Sequence, residues 1–204
     1  MLTRLKKKIQ SWISFEAKTA QKAGLTPNQV SAMGIMLAVA SGVSYWLSGA
    51  SPFNKGLSQI FLIIAALLLS LSGFCDALDG ALARLYGKTT VFGGFMDSLL
   101  DRYADAAVYC GLILGGLCDS LWGLLALIGS LLTSYTRARS EAAGVQMETV
   151  GIIERAERLL IIIMASLVNL AWPEALRWST LILALITNLT VLQRVLHFYR
   201  KINP

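Results

Sequence analysis

Five aspartates stand inside sequence that otherwise reads as membrane helix: Asp76, Asp79, Asp97, Asp101 and Asp105. An ionised carboxylate at membrane depth is costly unless it faces protein, water or a cation, so each is a candidate functional group from the outset. Their spacing is also informative. Asp76 and Asp79 are three residues apart, and Asp97 and Asp101 are four apart. Either step puts two side chains on one face of a helix. The short connection between the two segments predicts antiparallel neighbouring helices whose acidic faces converge. Carboxylates that close repel one another and hold their protons unless a cation lies among them. The pattern therefore demands helices, a sheltered polar pocket near one edge of a bilayer, and a bound metal.

The remainder of the chain supplies the helices. Of the 204 residues, 55% are hydrophobic, and the mean hydropathy is +0.62. Apolar stretches recur near 31–47, 60–74, 104–117, 121–132, 159–171 and 180–192. Several fall short of the ~18–20 residues a lone span needs, and become long enough where their polar ends lie in protein or a wet cavity. The expected fold is an all-α membrane protein of six transmembrane helices with an N-terminal amphipathic interfacial helix. Thr26-Pro27-Asn28-Gln29 predicts a capped helix start, with the first span running to about Gly49. The second span is expected from about Leu57 through Arg84, and the third from about Phe92 to Gly116. The fourth should end near Ala143, the fifth should run from about Ile153 to Ala171, and the sixth should reach Phe198. Leu2, Leu5, Ile9, Trp12 and Ile13 recur at helical steps among lysines, which predicts a surface-lying helix over 2–22. The expected division is 1–26 for that helix and its linker and 27–204 for one six-helix domain.

The net charge is +6, and its placement predicts orientation. Arg4, Lys6, Lys7, Lys8, Lys18 and Lys22 precede the first span. Arg84, Lys88 and Arg102 flank the second connection; Arg137, Arg139, Arg155 and Arg158 flank the fourth; Arg194, Arg200 and Lys201 close the chain. Only Lys55 and Arg177 fall on the opposite side. The positive-inside rule then places both termini and the aspartate-bearing connection in the cytoplasm of a multi-pass cell-membrane protein. Basic charge beside spans fits anionic lipid, so no nucleic-acid partner is expected. Cys75, Cys110 and Cys118 have no paired spacing and read as small buried residues. No cleavable signal peptide is evident after the basic start.

The candidate metal ligands are Asp76, Asp79, Asp97 and Asp101. The only histidine, His197, is remote and no cysteine pair is present, which disfavours zinc and favours Mg²⁺, Mn²⁺ or Ca²⁺ in an all-oxygen site. Four carboxylates are generous for one Mg²⁺, so two ions are expected. Gly80, Ala83, Gly93 and Gly94 are small and lie beside the acids, where they serve either close helix packing or the approach of a ligand. Arg84 is a natural phosphate partner, or else an interfacial anchor. A cluster of intramembrane salt bridges is the competing account. Five acids with only Arg84 and Arg102 nearby leave that account short of cations.

The residues Asp76-x2-Asp79-Gly80-x2-Ala83-Arg84-x8-Gly93-x3-Asp97-x3-Asp101 match, at every fixed position, the motif of the CDP-alcohol phosphotransferase family. The chain resembles that family over nearly its whole length. The resemblance implies transfer of a phospho-lipid from a CDP-lipid to an acceptor hydroxyl, with release of CMP. It implies that Asp76, Asp79 and Asp97 hold two Mg²⁺ ions, with Mn²⁺ as a substitute. Asp101 would complete the metal site and act as the catalytic base. Gly80 and Arg84 would touch the CDP portion, with Asn28, Gln29, Val30, Ser31 and Thr90 as further nucleotide-side candidates. A homodimer is also implied. Asp105 lies outside the motif, and a supporting hydrogen bond is expected of it.

The segments 134–141 and 151–158 resemble the branch of the family that makes phosphoinositol-phosphate lipids, on diacylglycerol in bacteria and on diether lipid in archaea. That resemblance makes inositol phosphate the acceptor, with Arg137, Arg155 and Arg194 around its phosphate. The general look of 101–105 and 137–143 leans towards the archaeal lipid. Two alternatives stand beside this reading: the same chemistry with glycerol 3-phosphate or another alcohol, and a divalent-cation transporter built on the acidic cluster.

Overall fold

The fold is seen in a computed structural model that describes residues 15–51, 53–87, 89–147 and 150–203. Every regular element among them is helical. Helix α1 covers 15–22 of the described chain. After it come α2 (Pro27–Gly49), α3 (Lys55–Leu85), α4 (Val91–Leu114), α5 (Ser120–Ala142), α6 (Arg155–Val168) and α7 (Ala175–Ile202). The amphipathic positions Leu2, Leu5, Ile9, Trp12 and Ile13 lie outside the described residues. The turns of α1 agree with an amphipathic helix: Ala17 and Ala20 are buried against Val30, Cys75, Leu78 and Leu82, while Phe15 and Lys18 are exposed.

The helix starts obey local chemistry. Thr26 caps α2 in a reciprocal box, its hydroxyl accepting from the Gln29 amide at 3.3 Å while the Gln29 side chain accepts from the Thr26 amide at 2.9 Å. Asn54 caps α3 and Thr90 caps α4 in the same sense, accepting from the amides of Leu57 and Gly93. Helices α3 and α5 stop where Gly87 and Gly144 enter the left-handed region, at φ 61° and 81°.

Three described helices, α2, α3 and α7, are long and apolar enough to cross a membrane. Helices α4, α5 and α6 are modified by what they carry. Four charged residues (Asp97, Asp101, Arg102 and Asp105) interrupt α4, and α5 ends in Arg137, Arg139 and Glu141. Helix α6 has 14 residues, about 21 Å at 1.5 Å per residue, against a hydrocarbon core of about 30 Å. It is shorter at both ends than expected: Glu154 caps its start, and the chain turns at Asn169, whose side chain accepts from the Leu176 amide at 3.1 Å. Large apolar side chains such as Met36, Leu67, Leu114, Leu160 and Leu185 are exposed around the bundle. A soluble protein would not tolerate that girdle; a lipid environment matches it.

Packing divides the bundle into two parts. Helix α2 packs against both α3 and α4, α5 packs against α7, and α3–α6, α4–α5 and α6–α7 contacts join the halves. Among the described residues α3 and α4 are not a packed pair, contrary to the expectation of direct antiparallel neighbours. Each leans on α2 instead, so the gap between them stays available to polar groups. Hydroxyls stitch α2 to α3, with Ser41 donating to the Ala65 carbonyl and Ser72 to the Gly34 carbonyl, each at 2.8 Å. On the far face Arg177 grips Asp119 bidentately at 2.8 and 3.0 Å, which keeps that carboxyl below its usual range.

The α2–α4 crossing is backbone on backbone. A Cβ on Gly42 would collide with the Ala107 carbonyl, and one on Gly111 with the Gly42 carbonyl. We therefore expect Gly42→Ala or Gly111→Ala to destabilise the protein by about 1–3 kcal/mol, read as a lower Tm in detergent. Gly94→Ala, whose new methyl meets nothing within 4 Å, should leave Tm the same or slightly higher.

Candidate active site

The last turns of α3 and the first half of α4 meet at one end of the gap between them. One carboxylate oxygen from each of Asp76, Asp97 and Asp101 lies within 4.8 Å of the other two. Oxygens that share one divalent ion at about 2.0–2.6 Å lie no more than about 4–5 Å apart, so this triad fits a hard cation. A cavity of about 20 Å³ runs beside it, walled also by Asp79, Ser31 and Arg155. That is room for one water-sized species. Asp79 itself is buried and turned aside: its Oδ2 accepts from the Ser31 hydroxyl at 2.5 Å. Three of the four expected carboxylates thus converge closely, and the fourth borders the cavity through Ser31.

The cations come from α6, which departs from the charge count made on nearby sequence. Arg84 and Arg102 make no ion pair with the aspartates among the described residues. Arg102 donates to the Ser98 carbonyl one turn back. Arg155, the first residue of α6, instead donates through Nη1 to Asp76 at 3.0 Å and through Nε to Asp105 at 3.2 Å, and its Nη1 also ion-pairs with Asp101 at 2.9 Å. Arg158, one turn on, donates to the other Asp105 oxygen at 3.0 Å. Asp105 and Arg158 are both nearly fully buried. The supporting role expected of Asp105 is therefore visible: it holds two guanidinium groups behind the triad. Arg158 is a site residue that the sequence reading misses. Its signal is a second arginine one turn after Arg155 on a helix that is otherwise apolar.

Two larger cavities flank the acids. One, of about 260 Å³, is lined by Asn28, Ser31, Gly80, Arg84, Thr90 and Gly94, with Asp79 and Asp97 at its inner edge. It gathers most of the nucleotide-side candidates. Gln29 is not among its walls because its side chain closes the α2 capping box, and Val30 is not because it is buried in the α1–α2–α3 core. A Cβ on Gly80 would meet only the Arg84 guanidinium, at 3.1 Å. The small residues here leave room for a ligand, unlike the glycines of the α2–α4 crossing.

The second cavity, of about 390 Å³, is strongly basic. Arg102, Arg137, Arg155, Arg158 and Arg194 line it against Asp101, Glu141 and Glu154, so arginines outnumber acids on its walls. The three arginines expected around an acceptor phosphate are all there. Arg137 is exposed and paired with Glu141 at 2.9 Å. Arg194 is buried and aimed by backbone, its Nε donating to the Val150 carbonyl at 2.9 Å and its Nη1 to the Thr133 carbonyl. A basic chamber thus borders the carboxylate cluster at Asp101, and a mixed polar chamber borders it at Asp79 and Asp97. The arrangement suits two anionic ligands meeting at a divalent cation.

Residues 24–192 match the family model described as CDP-alcohol phosphatidyltransferase. The chain is 37% identical to the archaetidylinositol phosphate synthase of Pyrococcus horikoshii over 195 residues, covering 96% of this chain and 95% of that one. It is 33% identical to the phosphatidylinositol phosphate synthase of Mycobacterium tuberculosis, covering 88% and 82%. The crystal structure of the M. tuberculosis enzyme with CDP-DAG bound is similar at a TM-score of 0.77 and 30% identity, with 92% and 93% of the chains covered. A second structure of that enzyme, in complex with manganese and citrate, is similar at the same TM-score.

The Asp105–Arg158 pair should act as a unit. Arg158→Met leaves a buried carboxylate with one partner lost, and breaking buried pairs costs roughly 3–5 kcal/mol. A large fall in Tm is expected, partly restored in the double variant Asp105→Asn/Arg158→Met. Additive losses in that cycle would show that the pair is not coupled.

Proposed function

The chain belongs to the CDP-alcohol phosphatidyltransferase family, and from that premise we propose that it transfers a phospho-lipid from a CDP-lipid to a hydroxyl of inositol 1-phosphate. The observation that carries this reading is the basic cavity abutting Asp101. A neutral acceptor such as serine has no use for a chamber lined by Arg137 and Arg194 beside Asp101; a phosphorylated one does. The inositol-phosphate chemistry named for its relatives agrees with it.

In this reading the CDP portion occupies the cavity beside Gly80 and Arg84, and its lipid tails run out between the apolar faces of the helices. Asp76, Asp79, Asp97 and Asp101 hold the divalent ions, two Mg²⁺ in our assignment with Mn²⁺ as a substitute. Bound there, they supply Lewis-acid stabilisation of charge on the diphosphate oxygens. Arg137 and Arg194 orient the acceptor's phosphate, so that an inositol hydroxyl points at Asp101. The hydroxyl oxygen forms a bond to the lipid-side phosphorus as the bond from that phosphorus to the bridging oxygen of CMP breaks. The hydroxyl proton passes to Asp101 and CMP leaves. Holding both reactants against one carboxylate adds proximity and general-base assistance to that stabilisation.

The six helices α2–α7 are taken to cross the bilayer, α4, α5 and α6 with their polar ends in the cavities. Charge asymmetry supports a cytoplasmic active site and cytoplasmic termini. Arg84, Arg102, Arg137, Arg139, Arg155, Arg158 and Arg194 gather at one end, with Arg177 tied to Asp119 at the other. An impermeant thiol reagent should label Arg139→Cys only after cells are opened. Sizing in detergent checks the homodimer that the resemblance implies. A diether donor is favoured by the similarity to the archaeal relative.

The decisive assay is CMP release by the purified protein with Mg²⁺, a CDP-lipid and one acceptor at a time. Release with inositol 1-phosphate is expected. Release only with glycerol 3-phosphate or a neutral alcohol would move the acceptor assignment. Asp97→Asn should abolish turnover in a folded protein. Arg137→Ala should raise the acceptor KM roughly tenfold, the loss of one charged hydrogen bond, while the CDP-lipid KM stays within about twofold. Equal changes in both would remove Arg137 from the acceptor pocket.

A further inference from the structure

Arg155 belongs to two cavities at once. It lines the small space among the aspartates and also the basic chamber beyond Asp101. Its guanidinium has two distinct engagements. Nη1 bridges Asp76 at 3.0 Å and Asp101 at 2.9 Å, while Nε holds Asp105 at 3.2 Å. Asp105 is fixed from behind by Arg158, and both of those side chains are almost completely buried. One end of the guanidinium is therefore anchored on a rigid pair. The other end rests on two of the carboxylates that a divalent ion would claim.

We propose that Arg155 is the resident counter-ion of the acid cluster, displaced from Asp76 and Asp101 by divalent cations and turned, about its Asp105 anchor, into the basic chamber. The physical reason is charge balance. Clustered carboxylates need a cation beside them in a low-dielectric site, and a single guanidinium meets that need by contacting three. A divalent ion on the same oxygens, at about 2.0–2.1 Å for Mg²⁺, meets it better and repels the guanidinium. Nη1 then needs an anion, and the chamber on its other side is built to receive one. The guanidinium is one rigid plane, so it tilts as a unit through the side-chain torsions with Asp105 as its pivot, and the swing requires no movement of α6. The consequence is coupling. Cation loading delivers an extra guanidinium to the chamber, and an anion there draws Arg155 off the metal ligands. By linkage each ligand then tightens the binding of the other by the same factor.

The displacement is independent of lipid and of turnover, so it can be tested without either. The purified full chain in detergent would be titrated with Mn²⁺, following free Mn²⁺ by electron paramagnetic resonance. If Arg155 competes for the ligand oxygens, Arg155→Gln binds Mn²⁺ roughly tenfold more tightly than the wild type, since a charged hydrogen-bond contact no longer has to be broken first. A residue that merely props the aspartates in place predicts the reverse. Unchanged or weaker Mn²⁺ binding in Arg155→Gln overturns the proposal. If that variant does not fold, Arg155→Lys carries the test, because an ammonium cannot span all three carboxylates; it too should bind Mn²⁺ more tightly than the wild type, and equal or weaker binding overturns the proposal. A second arm measures inositol 1-phosphate binding by calorimetry with and without Mn²⁺. Enhancement by Mn²⁺ should be larger in the wild type than in Arg155→Gln, and equal enhancement in the two overturns the swing. This arm rests on the proposed function for its ligand. Absence of binding by inositol 1-phosphate with Mn²⁺ present would also remove the chamber as Arg155's destination and so overturn the swing, whereas loss of CMP release with the Mn²⁺ result intact would count against the enzyme assignment alone.

Discussion

Clustered negative charge must be matched by positive charge, and this fold is arranged around that requirement. Asp76, Asp101 and Asp105 come from α3 and α4, and the guanidinium groups that pair with them come from the first turn of α6. Helix α6 is short because it begins at that site and is capped there by Glu154 and Glu157. Its contact with α3 and α7 sets where Arg155 and Arg158 arrive. With α6 in place, Asp76, Asp101 and Asp105 each meet a guanidinium.

Space is the second requirement, and α2 provides it. By packing against α3 and α4 separately, it holds them apart at the end where the acids stand. Two populations of glycine serve opposite ends in this arrangement. Gly42, Gly49, Gly111 and Gly115 have backbone pressed against their Cα atoms, so α2 and α4 approach as closely as two helices can. Gly80 and Gly94 face open cavity, where a methyl would meet a flexible guanidinium or nothing. Close contact along most of α2 and openness near Asp79 together produce a rigid frame with a ligand-sized gap.

Much of this is legible from residue order. The capping box at Thr26–Gln29, the starts of α3 and α4, the glycine stops and the facing of Asp76 with Asp79 and of Asp97 with Asp101 are local. They depend on steric and hydrogen-bonding rules that act over three or four residues. The eight fixed positions of the motif lie in one continuous stretch, so the metal ligands and the family could be read together. The ion-pair partner of an acid in the cluster is a different kind of fact. Arg155 lies 79 residues from Asp76 in the chain, and a search for cations near the acids in sequence returns Arg84 and Arg102, which line the flanking cavities without forming an ion pair with the acids among the described residues.

The sequence by itself determined the helices, the sign and type of ligand the acids can hold, and the chemistry they permit, because each is encoded in short-range spacing and residue type. Only the tertiary structure decided which arginines neutralise the cluster, that Asp79 turns to Ser31, and that Arg137, Arg155 and Arg194 share a chamber with Asp101. Those outcomes depend on how helices far apart in the chain pack, and packing is set by the summed shape of many apolar faces that no local pattern specifies.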